Sequence, residues 1–144
     1  MSESNDYKTL KKHLPQGHDR LDRVENCVVN GMPDINYCTA FVECWIELKS
    51  PTEPKRATTK LFGSNHRLSQ DQKNWFKRQR DAGGSAYVLI ATDKRWMLMD
   101  GGLADAINDM TLEALIDESL WHAAKPIRDE KEWMRLRHII QTTP

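Results

Sequence analysis

The ten residues AFVECWIELK, Ala40 to Lys49, decide how this chain reads. Valine, isoleucine and two aromatics in so short a run favour a pleated strand. Side chains of a strand alternate between faces, so Val42, Cys44, Ile46 and Leu48 share one side. Phe41, Glu43, Trp45, Glu47 and Lys49 share the other. The first face is wholly apolar and belongs against a core. The second carries two acids and a lysine, charges that are costly beside a packed sheet unless they have a use.

Upstream, GMPD (31–34) breaks the chain at Gly31 and Pro33, and Ile35 to Tyr37 resumes as a short extended piece. If that piece pairs with the Ala40–Lys49 strand, the Asp34 carboxylate arrives alongside Glu47. Two carboxylates so placed form a hard-oxygen site for Mg²⁺ or Mn²⁺, with positions left for water and a phosphate oxygen. Lys49, two residues from Glu47 and on the same side, adds positive charge where an attacked phosphorus gathers negative charge. Glu-x-Lys alone says little, because Glu53-x-Lys55, Asp71-x-Lys73 and Asp129-x-Lys131 share or mimic it. Only Glu47-x-Lys49 lies on an alternating strand thirteen residues after a Pro-Asp.

Outward from this strand, residues 1–18 read as a polar, loosely held segment with a short helix near Lys8 to Leu14. Leu21, Val24 and Val28 recur at helical spacing, which predicts a helix from Asp19 to about Cys27. Residues 50–67 read as a basic loop of a length associated with functional or mobile segments. Ser69-x-x-Gln72 fits a capping box and Gly83-Gly84 a C-terminal cap, bounding a helix between them. On that helix Leu68, Gln72, Trp75, Phe76, Gln79 and Ala82 form one stripe, flanked by Lys73, Lys77 and Arg80. SAYVLIA (85–91) and WMLMD (96–100) predict a β-hairpin, Leu103 to Ala124 a helical region, and Asp129 to Gln141 a last helix.

The 144 residues carry zero net charge, yet the charge is polarised. Lys55 to Arg95 holds ten bases against three acids, a local +7, whereas Trp96 to Ala124 holds six acids and no Lys or Arg. The basic part suits a polyanion, whose neutralised phosphates release counterions. Three cysteines (Cys27, Cys38, Cys44) form no Cys-x-x-Cys pair, and five histidines show no ligand spacing. They read as reduced thiols of a cytoplasmic protein. No run approaches a membrane span, and no signal peptide or nucleotide-cofactor motif is expected.

Taken together, GMPD followed by WIELK resembles the Pro-Asp…Glu-x-Lys core of the PD-(D/E)XK nuclease superfamily. The continuation RLSQDQKNWFKRQRDAGGSAYVLIA is similar to the VRR-NUC branch, with its L-S-x-x-Q-x-x-W helix and Gly-Gly turn into an apolar strand. The likeness covers roughly residues 19–102; the segments 1–18 and 103–144 match no named pattern.

The resemblance implies an α/β, restriction-endonuclease-like fold, with a central mixed sheet and flanking helices; the helical reading of 103–144 adds a C-terminal helical extension packed on the same domain. It implies a Mg²⁺- or Mn²⁺-dependent endonuclease of the stand-alone phage or bacterial type, acting on branched DNA as a homodimer, similar to Holliday-junction resolvases. Non-catalytic DNA binding on the same scaffold, or cleavage of single-stranded, flap or duplex DNA, are the alternatives. Asp34 and Glu47 match the metal-binding acids, Lys49 the lysine and Gln72 the helix glutamine. The early acid of the first helix matches Glu25, with Asp22 as its substitute. Lys55, Arg56, Lys60, Lys73, Lys77 and Arg80 are the expected DNA contacts.

Overall fold

The computed structural model describes residues 3–25 and 29–143. Six strands form one sheet in chain order: β1 (Arg20–Arg23), β2 (Ile35–Cys38), β3 (Glu43–Lys49), β4 (Ser85–Ala91), β5 (Arg95–Asp100) and β6 (Trp121–Ala124). Every neighbouring pair is antiparallel except β3 and β4. A parallel pair cannot be closed by a tight turn. Here the crossover is a long loop followed by helix α2 (Gln70–Asp81).

The alternation on β3 sorts the molecule into two layers. Cys44, Ile46 and Leu48, with Tyr87, Leu89, Trp96 and Leu98, face a core completed by α1 (Glu3–His13) and α5 (Glu130–Thr142). Val88, Ile90, Met97 and Met99 face the opposite core under α2, α3 (Ala104–Ile107) and α4 (Leu112–Glu118). The expected mixed sheet flanked by helices is the architecture observed.

Three local expectations are corrected. Residues 20–23 form β1 and not a helix, because Leu21 pairs across from Tyr37 and is buried between β2 and α1. Leu21 and Val24, three apart, share a face only in a helix, and pairing to the free edge of β2 overrode that local spacing. Cys27 and Val28 lie outside the described residues. The N-terminal segment is not loosely held: α1 buries Leu10, and Leu14 just beyond it is buried as well. Finally, the helical reading of 103–124 gives way at Trp121. Trp121 to Ala124 pair with β5 as β6, the backbone partner β5 needs on that side.

The basic loop is also better anchored than its length suggested. Leu61 and Phe62 are buried, Leu112 N–H donates to Thr59 O at 3.0 Å, and Glu113 N–H donates to Ala57 O at 2.9 Å. The Glu53 side chain, almost fully covered, accepts two bonds from Arg95 (2.7 and 3.1 Å) and one from the Thr92 hydroxyl (2.6 Å). At the far end of the loop, buried Asn108 clamps the Leu68 backbone through both carboxamide atoms (2.8 and 2.9 Å). The acidic C-terminal region therefore acts as the mount for the basic loop.

Gly31 sets the spacing between the sheet and α2. It holds φ +80°, and a Cβ there would overlap the Asp71 carbonyl in the first turn of α2. Only glycine meets both conditions. The turn leading to Asp34 is thus seated directly on the helix that carries Gln72.

Candidate active site

β2 and β3 pair with Ile35 opposite Ile46, so the residues just before β2 lie beside the end of β3. Asp34 stands there, and its Oδ1 accepts the Leu48 N–H at 3.3 Å. Glu47, on the same side, is only 6% exposed. Lys49 Nζ lies 3.5 Å from Glu47 Oε2, and donates to Arg67 O at the same distance. The strand pairing expected from the sequence brings Asp34, Glu47 and Lys49 together.

Two further residues join them. Arg23, at the end of β1, reaches Asp34 Oδ2 at 3.6 Å and Glu3 Oε1 at 3.5 Å. It also lies over the Tyr7 ring, 5.3 Å from the centroid. Glu3 heads α1, and its carboxylate is close enough to feel the charges of Asp34 and Lys49. Sequence reasoning missed both. The available signal was the spacing of Glu3, Asp6, Tyr7 and Leu10, which places all four on one helical stripe. Two acids among the four disguised it as a solvated face.

The three carboxyls disturb one another. Burial, then the Asp34 charge, push Glu47 up to about 7, with Glu3 adding to the rise and Lys49 opposing it. Asp34 is raised mainly by burial, against the Leu48 N–H and Arg23, which favour its anion. Burial and Asp34 likewise raise Glu3. Crowded, partly dehydrated carboxyls of this kind characterise sites that handle protons or cations.

The remaining sequence candidates occupy different settings. Gln72 lies half-buried in the first turn of α2, beside Gly31. Its Oε1 accepts the Ser69 N–H at 2.9 Å while its own N–H donates to Ser69 Oγ at 3.1 Å. The capping box is formed, and among the described residues no hydrogen bond links Gln72 to the acids or to Lys49. Glu25 is exposed beyond the end of β1, off any helix, and among the described residues no hydrogen bond or ion pair joins it to the cluster. Asp22 turns to Arg20 (3.3 Å) and Lys11 (3.9 Å).

Lys55 and Arg56 are exposed on the anchored loop, and Lys73 is half-buried on α2. Lys60 already has an acid at 3.4 Å (Asp109) and Lys77 one at 2.9 Å (Asp81). Arg80, near the far end of α2, packs by Gly102. His66, at φ +65°, adds a strained backbone at the rim, near enough to Glu3 to favour its charged form.

Among solved structures, the chain is similar to Hjc of Archaeoglobus fulgidus, a Holliday junction resolvase from an archaeal hyperthermophile. The TM-score is 0.50 at 21% identity, over 79% of this chain and 87% of that one. The fold is restriction-endonuclease-like. No family model and no curated protein matches the chain. At that identity the likeness establishes the scaffold, and the chemistry has to be argued from the side chains.

Among the described residues, no helix is long and apolar enough to cross a membrane. Nor do three His, Cys, Asp or Glu side chains there form a ready ligand cage. A cation at Asp34 and Glu47 would therefore complete its shell with water and substrate oxygen. The donor set fits such an ion: hard oxygens, one buried, both raised by burial and Glu47 also by the charges of Asp34 and Glu3.

Proposed function

We propose that this protein is a Mg²⁺- or Mn²⁺-dependent endonuclease that hydrolyses DNA phosphodiesters in branched DNA, in the manner of a VRR-NUC nuclease. The observation that carries it is the meeting of Asp34, buried Glu47 and Lys49 at the end of β3. The fold shared with an archaeal Holliday junction resolvase supports the reading, as does the Pro-Asp…Glu-x-Lys pattern. A bound divalent ion would polarise the phosphoryl oxygen and acidify water.

The chain's own groups have distinct parts. Asp34 and Glu47 hold the cation, and Asp34 is oriented by the Leu48 N–H. Lys49, fixed by Arg67 O, presents its ammonium where the attacking water and the oxygens around phosphorus would carry negative charge. Arg23 neutralises the surplus charge of Asp34 and Glu3. Release of a 3′ hydroxyl and a 5′ phosphate follows from attack in line with the 3′ oxygen. A homodimer would present two such sites to a four-way junction.

One gel assay tests this directly: a four-way junction, a flap and plain duplex, each with Mg²⁺, Mn²⁺ or EDTA. Cleavage of the junction with either metal and none in EDTA is expected. Preference for the flap or duplex would retain the nuclease and reassign its substrate; binding without cleavage under every condition would refute catalysis.

The basic residues make a second prediction. Among the described residues, Lys60 and Lys77 each form an ion pair with an acid, whereas Lys55, Arg56 and Lys73 form none. Along α2, Lys73 and Arg80 are separated by roughly 10 Å at 1.5 Å rise per residue, which spreads positive charge along the helix. Replacing Lys55, Arg56 and Lys73 together by alanine should weaken binding similarly for unrelated sequences. It should also flatten log K against log[salt] by about 0.9 for each duplex phosphate that is no longer neutralised. An unchanged slope across a salt series places the DNA path elsewhere.

A further inference from the structure

Asp6 is an acid with only 4% exposure, on a helix that is otherwise polar outside its inward stripe. It is fully engaged. Lys125 Nζ donates to Asp6 Oδ1 at 2.6 Å, and the Ser50 hydroxyl donates to Oδ2 at 2.8 Å. Lys125 itself follows β6, donates to Thr92 O at 2.9 Å, and sits 5.1 Å above the Trp96 ring. Ser50 is buried and directly follows Lys49.

This cluster lies outside the three carboxyls of the candidate site, yet touches α1, which supplies Glu3, and the end of β3, which supplies Glu47. Asp6 is one helical turn from Glu3, so fixing Asp6 fixes the height and rotation of the α1 N-terminus. Through Ser50 the same carboxylate holds the end of β3, where Glu47 and Lys49 project. A buried ion pair is weak evidence of stabilisation, since dehydrating both charges offsets much of their attraction. Its geometric effect is clearer: one directional bond ties the helix to the end of β3 and a second ties it to Lys125 just beyond β6.

We infer that Asp6, braced by Lys125, is a positioning residue that, through its bond to Ser50, holds the end of β3 and with it Glu47 and Lys49 in place beside Glu3. This role presupposes the nuclease reading above. Groups that orient a metal's ligands without touching the metal commonly change affinity or activity about 10- to 100-fold when removed. Ser50→Ala deletes one bond and leaves the ion pair intact. Asp6→Asn keeps the shape and removes the charge, and Lys125→Arg keeps the charge.

The test is Mn²⁺ titration of the full chain, followed by free-ion electron resonance, with junction cleavage resolved into kcat and KM. Ser50→Ala and Asp6→Asn should each bind Mn²⁺ about 10-fold or more weaker and lose kcat by roughly 10- to 100-fold, with KM for DNA unchanged. Lys125→Arg should stay within a few-fold of wild type. A purely structural cluster would lower the melting temperature of the variants and leave Mn²⁺ affinity of the folded protein unmoved. If Asp6→Asn does not fold, Ser50→Ala decides. Wild-type affinity and kcat in folded Ser50→Ala overturn the positioning role alone. A wild type that neither binds Mn²⁺ nor cleaves overturns the nuclease reading and this role with it.

Discussion

Glu47→Gln should abolish cleavage and, in the absence of metal, make the protein more stable. Glu47 is 6% exposed, and burial with the neighbouring Asp34 charge pushes its carboxyl up from 4.5 to about 7. The folded state therefore holds its proton more tightly than the unfolded chain. The group costs nothing below the unfolded pKa, and stability falls as pH rises between 4.5 and about 7. Above that window the shift corresponds to a cost on the order of 3 kcal/mol. Asp34 and Glu3, also raised, act in the same direction.

Glutamine has the same shape and no charge to desolvate. Urea unfolding in EDTA at pH 5 and pH 8 should show wild type losing more stability between the two than Glu47→Gln. At pH 8 the variant should be the more stable by about 1–3 kcal/mol. Parallel pH dependence would mean that the carboxylate is solvated in the folded protein. Cleavage should fall about 10³-fold or more in Glu47→Gln, because several kcal/mol of charge stabilisation goes with the ligand. Asp34→Asn should match that loss while its amide oxygen still accepts the Leu48 N–H. Near-normal turnover by either variant would remove the metal assignment.

Lys49→Ala should lose turnover by a comparable factor, about 10²–10³-fold, with a different signature. The ammonium lies 3.5 Å from Glu47 Oε2 and is itself largely buried, with 12% of its side chain exposed. It repels a cation held by the same carboxylates. Its removal should leave Mn²⁺ binding intact or tighter at pH 8.5, above the value of about 7 to which Glu47 is raised. Near pH 7 the gain should vanish, because Lys49 helps hold Glu47 in its charged form. Mn²⁺ titrations at the two pH values, with single-turnover cleavage, separate this from loss of a ligand. Much weaker binding at pH 8.5 would make the lysine a structural support of the carboxylates.

Sequence reasoning went furthest where one local pattern had one physical meaning. The alternation in AFVECWIELK settled which residues face the core, and β3 buries Cys44, Ile46 and Leu48 on one side with Glu47 and Lys49 on the other. Ser69, Gln72 and Gly83 carried the bounds of α2 because caps are local chemistry. The β4–β5 hairpin followed from two apolar runs around Thr92 to Arg95. The likeness between GMPD…WIELK and a nuclease core placed Asp34 beside Glu47 because those strands are adjacent in the chain.

Only the tertiary structure decided the rest. Leu21 and Val24 have helical spacing, yet the unpaired edge of β2 made residues 20–23 a strand. The Trp121–Ala124 run has too few β-branched residues to announce a strand, but β5 needed a backbone partner. Glu3 and Arg23 reach the carboxyl cluster because α1 packs across the sheet, an arrangement fixed by Leu10, Leu14 and the buried Asp6–Lys125 pair. Local propensity acts over a few residues, whereas these interactions join positions up to 119 apart in the chain. The strand and its acid-lysine pair were legible in the letters; the helix that completes the site depended on what the folded sheet left uncovered.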